Sequence, residues 1–148
     1  MVVHESDLPR GRGFAPVAWQ VLGGAKKIPI CLIEASENVD AGDIFLREEI
    51  SLTGYELNDE IRRLQGDATV DLCMQFLRRY PSFNPSRQEG TPSKFERRTP
   101  EDSRLDPDKS MREQFDLLRT VDNDRYPAFF EIDGRRYTIK ISSNSKAQ

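Results

Sequence analysis

The chain has 148 residues, of which 36% are hydrophobic and 32% are charged, and its formal net charge is −3. This length and hydrophobic content are enough for one ordinary domain. The negative charge disfavours a surface that tracks nucleic acid, because phosphate binding requires a concentrated basic face. No apolar run approaches the length of a membrane span, and no basic region followed by an apolar one opens the chain. We therefore expect a cytoplasmic protein that does not bind a membrane.

The first third of the chain predicts one short helix and two strands. Pro16 suits the first turn of a helix that ends at Gly23. The β-branched run at residues 28–33 predicts a buried strand, and residues 44–50 alternate as a second strand does. Residues 38–42 form the turn between the two strands.

Three side chains in these patterns are expected in the core. Trp19 lies on the predicted short helix among apolar neighbours, which favours packing over stacking on a ligand. Cys31 and Cys73 occupy apolar positions without the C-x-x-C spacing of a metal or redox pair. We expect both to be reduced core residues, and no metal is implied.

The middle of the chain predicts a long helix followed by a linker. Apolar residues recur every three or four positions from residue 56 to residue 80, which marks one amphipathic helix. Pro81 ends it, and the Pro- and Ser-rich residues 81–103 favour neither a helix nor a central strand. We interpret residues 81–103 as a linker that crosses between two units, the first of which spans residues 1–80.

The last part predicts a small helix-plus-hairpin unit over residues 104–142. Asp106-Pro107 offers a cap and a first-turn proline for a helix that reaches Val121. Residues 129–141 predict a hairpin that turns at Asp133-Gly134. Residues 143–148 are expected to be a disordered tail.

The strongest candidates for catalysis are His4, the only histidine, and Asp40, which follows 36 residues later. A lone imidazole can move a proton or polarise a carbonyl near neutral pH, and a neighbouring carboxylate fixes its tautomer. A lone histidine is more often a surface or hydrogen-bonded residue than a catalytic one, so the catalytic interpretation depends on the surrounding motif. Both residues fall on loops, and we expect their side chains to meet across one cleft.

The motif around these residues is H-E-S-D-L-P-R-G-R-G-F-A-P at residues 4–16, followed by D-A-G-D at residues 40–43. Together they resemble the folate-dependent formyltransferases of the methionyl-tRNA formyltransferase type. The matching positions are His4, Ser6, Leu8, Pro9, Arg12, Gly13, Pro16, Asp40, Gly42 and Asp43. The resemblance implies an α/β fold: the C-terminal part of a Rossmann-like formyltransferase domain, then a small α+β unit with a β-hairpin.

Two departures from the family pattern accompany the matches. The family has an asparagine two residues before the histidine, where its amide helps to hold an oxyanion, and this chain has Val2. The family also has nucleotide-fold sequence upstream of the region that matches here. We therefore expect this chain to be a fragment of the catalytic domain plus a C-terminal extension, inactive in isolation.

The C-terminal sequence narrows the class of substrate that the resemblance implies. R-R-T-P-E-D-S-R-L-D at residues 97–106 and Y-P-A-F-F-E-I-D-G-R-R-Y at residues 126–137 are similar to formyltransferases that act on nucleotide-linked amino sugars. The resemblance implies formyl transfer from 10-formyltetrahydrofolate to the amine of such a sugar. His4 would accept the amine's proton or bind the oxyanion, and Asp40 would orient His4 or relay the proton.

The same resemblance supplies candidate binding residues and partners. The backbone of Ser36, Glu37, Asn38 and Val39 would face the pterin ring. Ser6, Arg10 and Gly11 would contact the amino-sugar substrate, whereas Arg12 is interpreted as part of a turn. The implied partners are small molecules, with no nucleic acid favoured, and a homodimer is possible.

Three alternatives stay open on the sequence. A formyltetrahydrofolate hydrolase would use the same histidine and aspartate with water as the acceptor. A methionyl-tRNA formyltransferase would carry a larger barrel domain after the catalytic part. A non-catalytic remnant or dimerising piece would offer the long helix and the hairpin as its surfaces.

Overall fold

The apolar runs form strands and helices that surround one larger and two smaller hydrophobic cores, seen here in a computed structural model that describes residues 1–144. In chain order the elements are β1 (Val2–His4), β2 (Arg12–Gly13), α1 (Pro16–Leu22), β3 (Lys27–Ile33), β4 (Ile44–Ser51), α2 (Asn58–Arg79), β5 (Lys94–Phe95), a 3-10 helix (Pro100–Ser103), α3 (Phe115–Leu118), β6 (Ala128–Ile132) and β7 (Arg135–Ile139). The predicted mixed α/β class is confirmed.

A three-stranded sheet in the order β1-β3-β4 forms the centre of the larger core. Its strands pair antiparallel, and the register sets His4 opposite Cys31. The side of the sheet that carries Ile28 and Ile30 packs against α1 and α2 through the buried Val21 and Leu72. The two predicted strands and the short helix are confirmed, and their bounds shift by at most one residue.

Helix α2 packs one narrow stripe on the sheet and leaves the opposite side in solvent. Ile61 and Leu72 are buried, whereas Val70 and Leu77 are 61% and 65% exposed. Cys73 is exposed as well. The prediction that Cys73 is a core residue is therefore wrong, because only one side of this surface helix reaches the sheet. Trp19 is half-buried rather than fully buried, and its indole donates to the Glu96 carbonyl at 2.8 Å.

The segment at residues 81–103, predicted as a linker, is bound along the His4 and Asp40 loops. Strand β5 pairs parallel with β2, and Ser86 exchanges two backbone hydrogen bonds with Ile44, at 2.8 and 2.9 Å. Backbone groups pair irrespective of side-chain pattern, so a Pro- and Ser-rich run can still line a sheet edge. This segment therefore stabilises the His4 and Asp40 loops through backbone hydrogen bonds and is not a free linker between two units.

The C-terminal unit has its own small core of Leu105, Leu118, Val121 and Ala128. The hairpin β6–β7 is confirmed, with Asp133 and Gly134 at the turn in left-handed conformations.

The helix predicted from Asp106 is wrong, since α3 covers only Phe115–Leu118. Residues 106–114 form turns instead. Gln114 ties these turns together, because its side chain accepts from the Asp106 amide at 2.6 Å and donates to the Asp106 carbonyl at 3.0 Å. The predicted disordered tail lies outside the described residues from position 145 onward.

Of the helices within residues 1–144, none combines the length and hydrophobicity that a membrane crossing requires.

Candidate functional site

His4 ends strand β1 and is buried, with 5% of its surface exposed. Its Nε2 lies 2.8 Å from the carbonyl oxygen of Gly11. Because a carbonyl oxygen only accepts hydrogen bonds, Nε2 carries the hydrogen in this contact. The other ring nitrogen, Nδ1, lies 3.4 Å from Oδ2 of Asp40. The structure therefore brings together the two residues proposed for catalysis.

Asp40 lies on the loop between β3 and β4, with a φ of 51°. This left-handed conformation is tolerated better by Asp than by most residues. Its Oδ2, the same oxygen that faces His4, accepts the backbone N–H of Gly13 at 2.8 Å. Gly13 has a φ of 100°, and a Cβ added there would lie 2.5 Å from the Phe95 carbonyl oxygen. Only glycine fits at this position, so the contact that fixes Asp40 depends on the G-R-G sequence.

The geometry of the pair suits the uptake of one proton. With the hydrogen on Nε2, the neutral ring keeps its lone pair on Nδ1, which is the nitrogen that faces Asp40. The carboxylate stabilises positive charge on the ring when Nδ1 accepts a proton. The arrangement can thus act as a general base and then as a general acid. Within residues 1–144, no group of three or more His, Cys, Asp or Glu side chains is placed to hold a metal ion.

Gln88 connects the two loops, a role that no motif in the sequence predicts. Its Nε2 donates to the carbonyl oxygens of Asp40 and Gly42, both at 2.8 Å. Its Oε1 accepts from the Arg12 guanidinium at 2.5 and 3.2 Å. One amide side chain therefore holds the Asp40 loop and the His4 loop together. A glutamine within a predicted linker carries no motif, and the pairing of Ser86 with Ile44, two residues before it, holds it beside the Asp40 loop.

Two of the three predicted substrate residues already use polar groups in hydrogen bonds within the protein. The hydroxyl of Ser6, a residue only 2% exposed, donates to the Arg10 carbonyl at 2.8 Å. The N–H of Gly11 donates to the Ser93 hydroxyl at 2.9 Å. The guanidinium of Arg10 is exposed and forms an ion pair with Asp7. Arg12 is half-buried and bound to Gln88, so it has a structural contact beyond a solvated turn.

The four residues predicted to face the pterin ring, Ser36 to Val39, are all exposed. The Ser36 hydroxyl donates to the Asn38 carbonyl at 2.9 Å, which closes a tight turn. Val39 lines a cavity of 280 Å³ together with Gly13 and Lys94. Val39, the residue before Asp40, therefore forms part of the wall of this cavity.

A larger cavity, of 680 Å³, lies on another side of the His4 loop. It is lined by Asp7, Arg10 and Arg47, and it includes neither His4 nor Asp40. Arg47 braces the loop by binding Asp7 at 3.1 Å and the Leu8 carbonyl at 3.0 Å. This cavity is therefore separate from the contact between His4 and Asp40.

Cys31 lies opposite His4 in the sheet and could be mistaken for a nucleophile. Its thiol donates to the Ser6 carbonyl at 3.3 Å. Burial raises the pKa of the Cys31 thiol, and the opposing effect of Arg47 is smaller. A buried neutral thiol is a weak nucleophile, so the role of Cys31 is to pack beneath the loop.

Comparison with known proteins shows which enzymes this chain is similar to. No protein-family model matches the sequence. The methionyl-tRNA formyltransferase of Malacoplasma penetrans is 24% identical over 149 aligned residues, which cover 98% of this chain and 47% of that enzyme. A methionyl-tRNA formyltransferase from Clostridium thermocellum superposes with a TM-score of 0.78 and 30% identity, over 98% of this chain and 64% of that one. The chain is therefore similar to methionyl-tRNA formyltransferases over nearly its whole length.

Other solved formyltransferase-like structures share the fold at lower identity. A sugar N-formyltransferase from Shewanella sp. superposes with a TM-score of 0.74 and 18% identity, over 98% of this chain and 61% of that one. HypX from Aquifex aeolicus, solved with tetrahydrofolic acid, superposes with a TM-score of 0.70 and 19% identity, over 90% of this chain and 24% of that one. At these identities the likeness shows the fold alone. The chain spans about half the length of the curated formyltransferases that it matches over most of its own length.

Proposed function

We propose that His4 and Asp40 carry the proton-transfer step of a formyltransferase site. In this proposal a formyl group passes from 10-formyltetrahydrofolate to the amine of a nucleotide-linked amino sugar. The observation that supports it is the paired contact of His4, with Nε2 on the Gly11 carbonyl and Nδ1 beside Asp40. This arrangement fixes the ring and sets the nitrogen that can exchange a proton, Nδ1, beside the Asp40 carboxylate.

The proton balance of the reaction suits one shared base. The attacking amine must lose a proton as the new carbon–nitrogen bond forms. The nitrogen that gives up the formyl carbon must gain one as the old bond breaks. His4 Nδ1 accepts the first proton and returns it in the second step, so the site gains and loses none. Asp40 stabilises the charged ring between the two steps, in a part of the molecule largely withdrawn from water.

The loop before Asp40 fits the formyl donor. The donor supplies an electrophilic carbon when bound, and its pterin ring requires an exposed backbone edge beside the acid–base pair. Residues 36–39 are exposed, and the cavity at Val39 also contains Lys94, a cation suited to an anionic group. The proposal therefore assigns this loop to the folate and keeps Ser6, Arg10 and Gly11 on the acceptor side.

A second acceptor has specific support. Two curated relatives that match most of the chain are methionyl-tRNA formyltransferases, and one solved enzyme of that kind is 30% identical. The amino-sugar acceptor is supported instead by the C-terminal resemblance and by the shared fold of sugar N-formyltransferases. Both acceptors present a primary amine, so the same acid–base pair would serve either reaction.

A chimera separates the two acceptors. The chain is fused to the part of the Malacoplasma penetrans enzyme that it does not cover, and formyl transfer is measured with each acceptor in turn. We expect transfer to an amino-sugar nucleotide and a His4-dependent rate. Transfer to initiator methionyl-tRNA alone would assign the second acceptor, and transfer to neither would refute the proposed function. The chain's own fold, checked by circular dichroism in the fusion and alone, serves as the control.

A further inference from the structure

Helix α2 carries an apolar stripe that faces away from the sheet. Val70, Met74 and Leu77 recur at intervals of four and three positions, so they share one face of the helix, and they are 61%, 43% and 65% exposed. Cys73 lies in the same stripe and is also exposed. We call these four residues the outer stripe. The other side of α2 packs on the sheet, so the outer stripe is a second apolar surface on a helix whose solvent side would ordinarily be polar.

Gly66 extends the outer stripe by one turn. It lies four positions before Val70 and therefore on the same face of the helix. A Cβ added at Gly66 would meet no atom within 4 Å, so alanine would fit there within residues 1–144. Glycine destabilises a helix relative to alanine. The missing side chain has a use if a bulky group of a second helix packs on the backbone at this point.

The charges beside the outer stripe are divided along the helix. Asp67 and Asp71 lie one turn apart, and Arg78 lies on their side of the stripe, because eleven positions make about three turns. All three side chains are exposed, and none of them forms an ion pair within residues 1–144. Two aspartates at this spacing repel each other. This side of the stripe is therefore acidic at its first half and basic at its end.

A second copy of the same helix complements these charges in one direction only. A two-fold axis perpendicular to α2, level with Cys73, sets the first half of each stripe against the second half of the other. Asp67 and Asp71 of each copy then face Arg78 of the other copy, on the same side of the contact. A parallel pairing would move the two charged sides to opposite sides of the contact. The match is therefore specific to the antiparallel direction.

We propose that the outer stripe is the contact surface of a homodimer, in which two α2 helices pair antiparallel about a two-fold axis near Cys73. Residues 66–81 span about 22 Å of helix, at about 1.5 Å per residue. A contact of this length buries less than the roughly 1,200 Å² of a stable complex, so we expect dissociation at micromolar or higher concentrations. The proposal concerns association alone and is independent of formyl transfer.

The position of α2 in the fold favours a second copy as the occupant. Strands β1 and β4 lie at opposite edges of the sheet, and α2 packs mainly on β4. Sequence joined before Met1 would therefore enter the fold at the edge away from the outer stripe. The upstream part of a longer chain is the rival occupant that the experiments must exclude.

Sedimentation equilibrium of the 148-residue chain tests association over a hundredfold range of micromolar concentrations. We expect a single monomer–dimer equilibrium. Leu77→Glu should weaken it at least about tenfold, because the contact would bury a charge without a partner. Tyr55→Glu is the matched control, since Tyr55 is 77% exposed and lies before the helix. It makes the same change of charge outside the outer stripe and should leave the dimer unchanged.

A charge swap tests the antiparallel direction. Asp67→Arg and Arg78→Asp should each weaken the dimer about tenfold, because a two-fold contact contains each charge pair twice. The double variant Asp67→Arg/Arg78→Asp restores opposite charges across the axis and should recover most of the affinity. Circular dichroism of every variant checks that the helix is intact.

Cys73 supplies a direct readout of the axis. Facing positions on packed helices come within the roughly 7 Å between Cα atoms that a disulfide requires. Diamide should therefore join two copies through Cys73, as it takes up the two electrons and two protons that the thiols lose. Cys31 is buried and should stay reduced. In Cys73→Ser/Arg63→Cys the new thiol lies about 15 Å along the helix from the axis, so the two copies lie about 30 Å apart and should not join.

Several results would overturn the proposal. These are a chain that stays monomeric over the whole concentration range, equal effects of Leu77→Glu and Tyr55→Glu, or a charge swap that fails to recover affinity. Equal cross-linking through residues 63 and 73 would contradict the antiparallel axis. A monomeric chimera in which Cys73 resists alkylation, although it reacts in the 148-residue chain, would assign the outer stripe to the upstream part instead.

Discussion

Arg119 and Glu56 form a buried ion pair that joins the C-terminal unit to the start of helix α2. The Arg119 Nη2 lies 3.1 Å from Glu56 Oε2, and its Nε donates to the Glu56 carbonyl at 3.0 Å. Arg119 is only 2% exposed. Removal of one partner from a buried pair leaves an unpaired charge, so this contact should couple the stability of the two units.

Glu56 makes folding sensitive to acid. Burial raises its pKa, but hydrogen bonds from Thr53 and Gly54 outweigh that effect and lower the pKa to about 2, from an ordinary value of 4.5. The folded state therefore binds the proton more weakly than the unfolded state. The ionised Glu56 carboxylate therefore stabilises the fold fully above pH 4.5, and this stabilisation disappears as the pH falls toward 2. It amounts to at most about 3 kcal/mol, since a tenfold change in acidity corresponds to about 1.4 kcal/mol.

The measurement is urea unfolding of wild type and Glu56→Gln between pH 2.5 and 7. We expect the variant to be less stable at pH 7 and the difference to shrink as the pH falls. Glu89→Gln, at an exposed glutamate, is the matched control and should follow wild type at every pH. A constant difference across the pH range would contradict the assignment of Glu56.

Gln88 should position the Asp40 loop. Gln88→Glu keeps the side-chain shape but sets a carboxylate oxygen against two carbonyl oxygens, so it should release the loop. In the chimera we expect kcat to fall at least about tenfold while KM for the acceptor changes little, because the loss falls on transition-state geometry. Gln88→Leu should behave similarly.

The control is Gln75→Glu, at a surface glutamine whose amide donates to Glu48. A second readout is independent of activity. His4 is the only histidine of this chain, so its ring signal is unambiguous in NMR spectra of the unfused 148-residue chain. That signal should move in Gln88→Glu but not in Gln75→Glu. An unchanged His4 signal together with an unchanged kcat would show that Gln88 does not position the pair.

The 148-residue chain alone should show no detectable formyl transfer, whereas the chimera should show it. The chain spans 47% of a curated relative, and Val2 offers no amide where the family has an asparagine. Loss of preorganised hydrogen-bond donors typically costs a factor of about 100 to 1,000 in rate. The check is single-turnover assay of both proteins at matched concentration. Robust turnover by the 148-residue chain would contradict this prediction.

Local patterns predicted the parts of the structure whose causes are local. The strand at residues 28–33 and the hairpin turn at Asp133-Gly134 follow from side-chain alternation and turn chemistry, and both are found. The approach of His4 and Asp40 followed from a motif in which each residue type has a role. Their catalytic role is still a proposal.

The features that the sequence did not predict have a different cause. Each depends on a contact between residues that are distant in the sequence. Gln88 reaches the Asp40 loop through the pairing of Ser86 with Ile44, and Arg119 acts through its contact with Glu56, 63 positions away. Neither contact leaves a periodic signal. Cys73 was placed in the core because the apolar pattern of α2 is wider than the stripe that the sheet covers. The helix expected from Asp106 failed because Gln114 stabilises turns there instead.

The double-mutant cycle of His4 and Asp40 tests the central claim most directly. In the chimera, His4→Ala and Asp40→Ala should each remove most of kcat and leave sugar-nucleotide affinity nearly unchanged, because their effect falls on the transition state. If Asp40 acts through His4, the double variant should lose little more than the worse single variant. Losses that multiply would show that Asp40 acts independently of His4. A wild-type rate in either single variant would contradict the claim that these two residues carry the proton transfer.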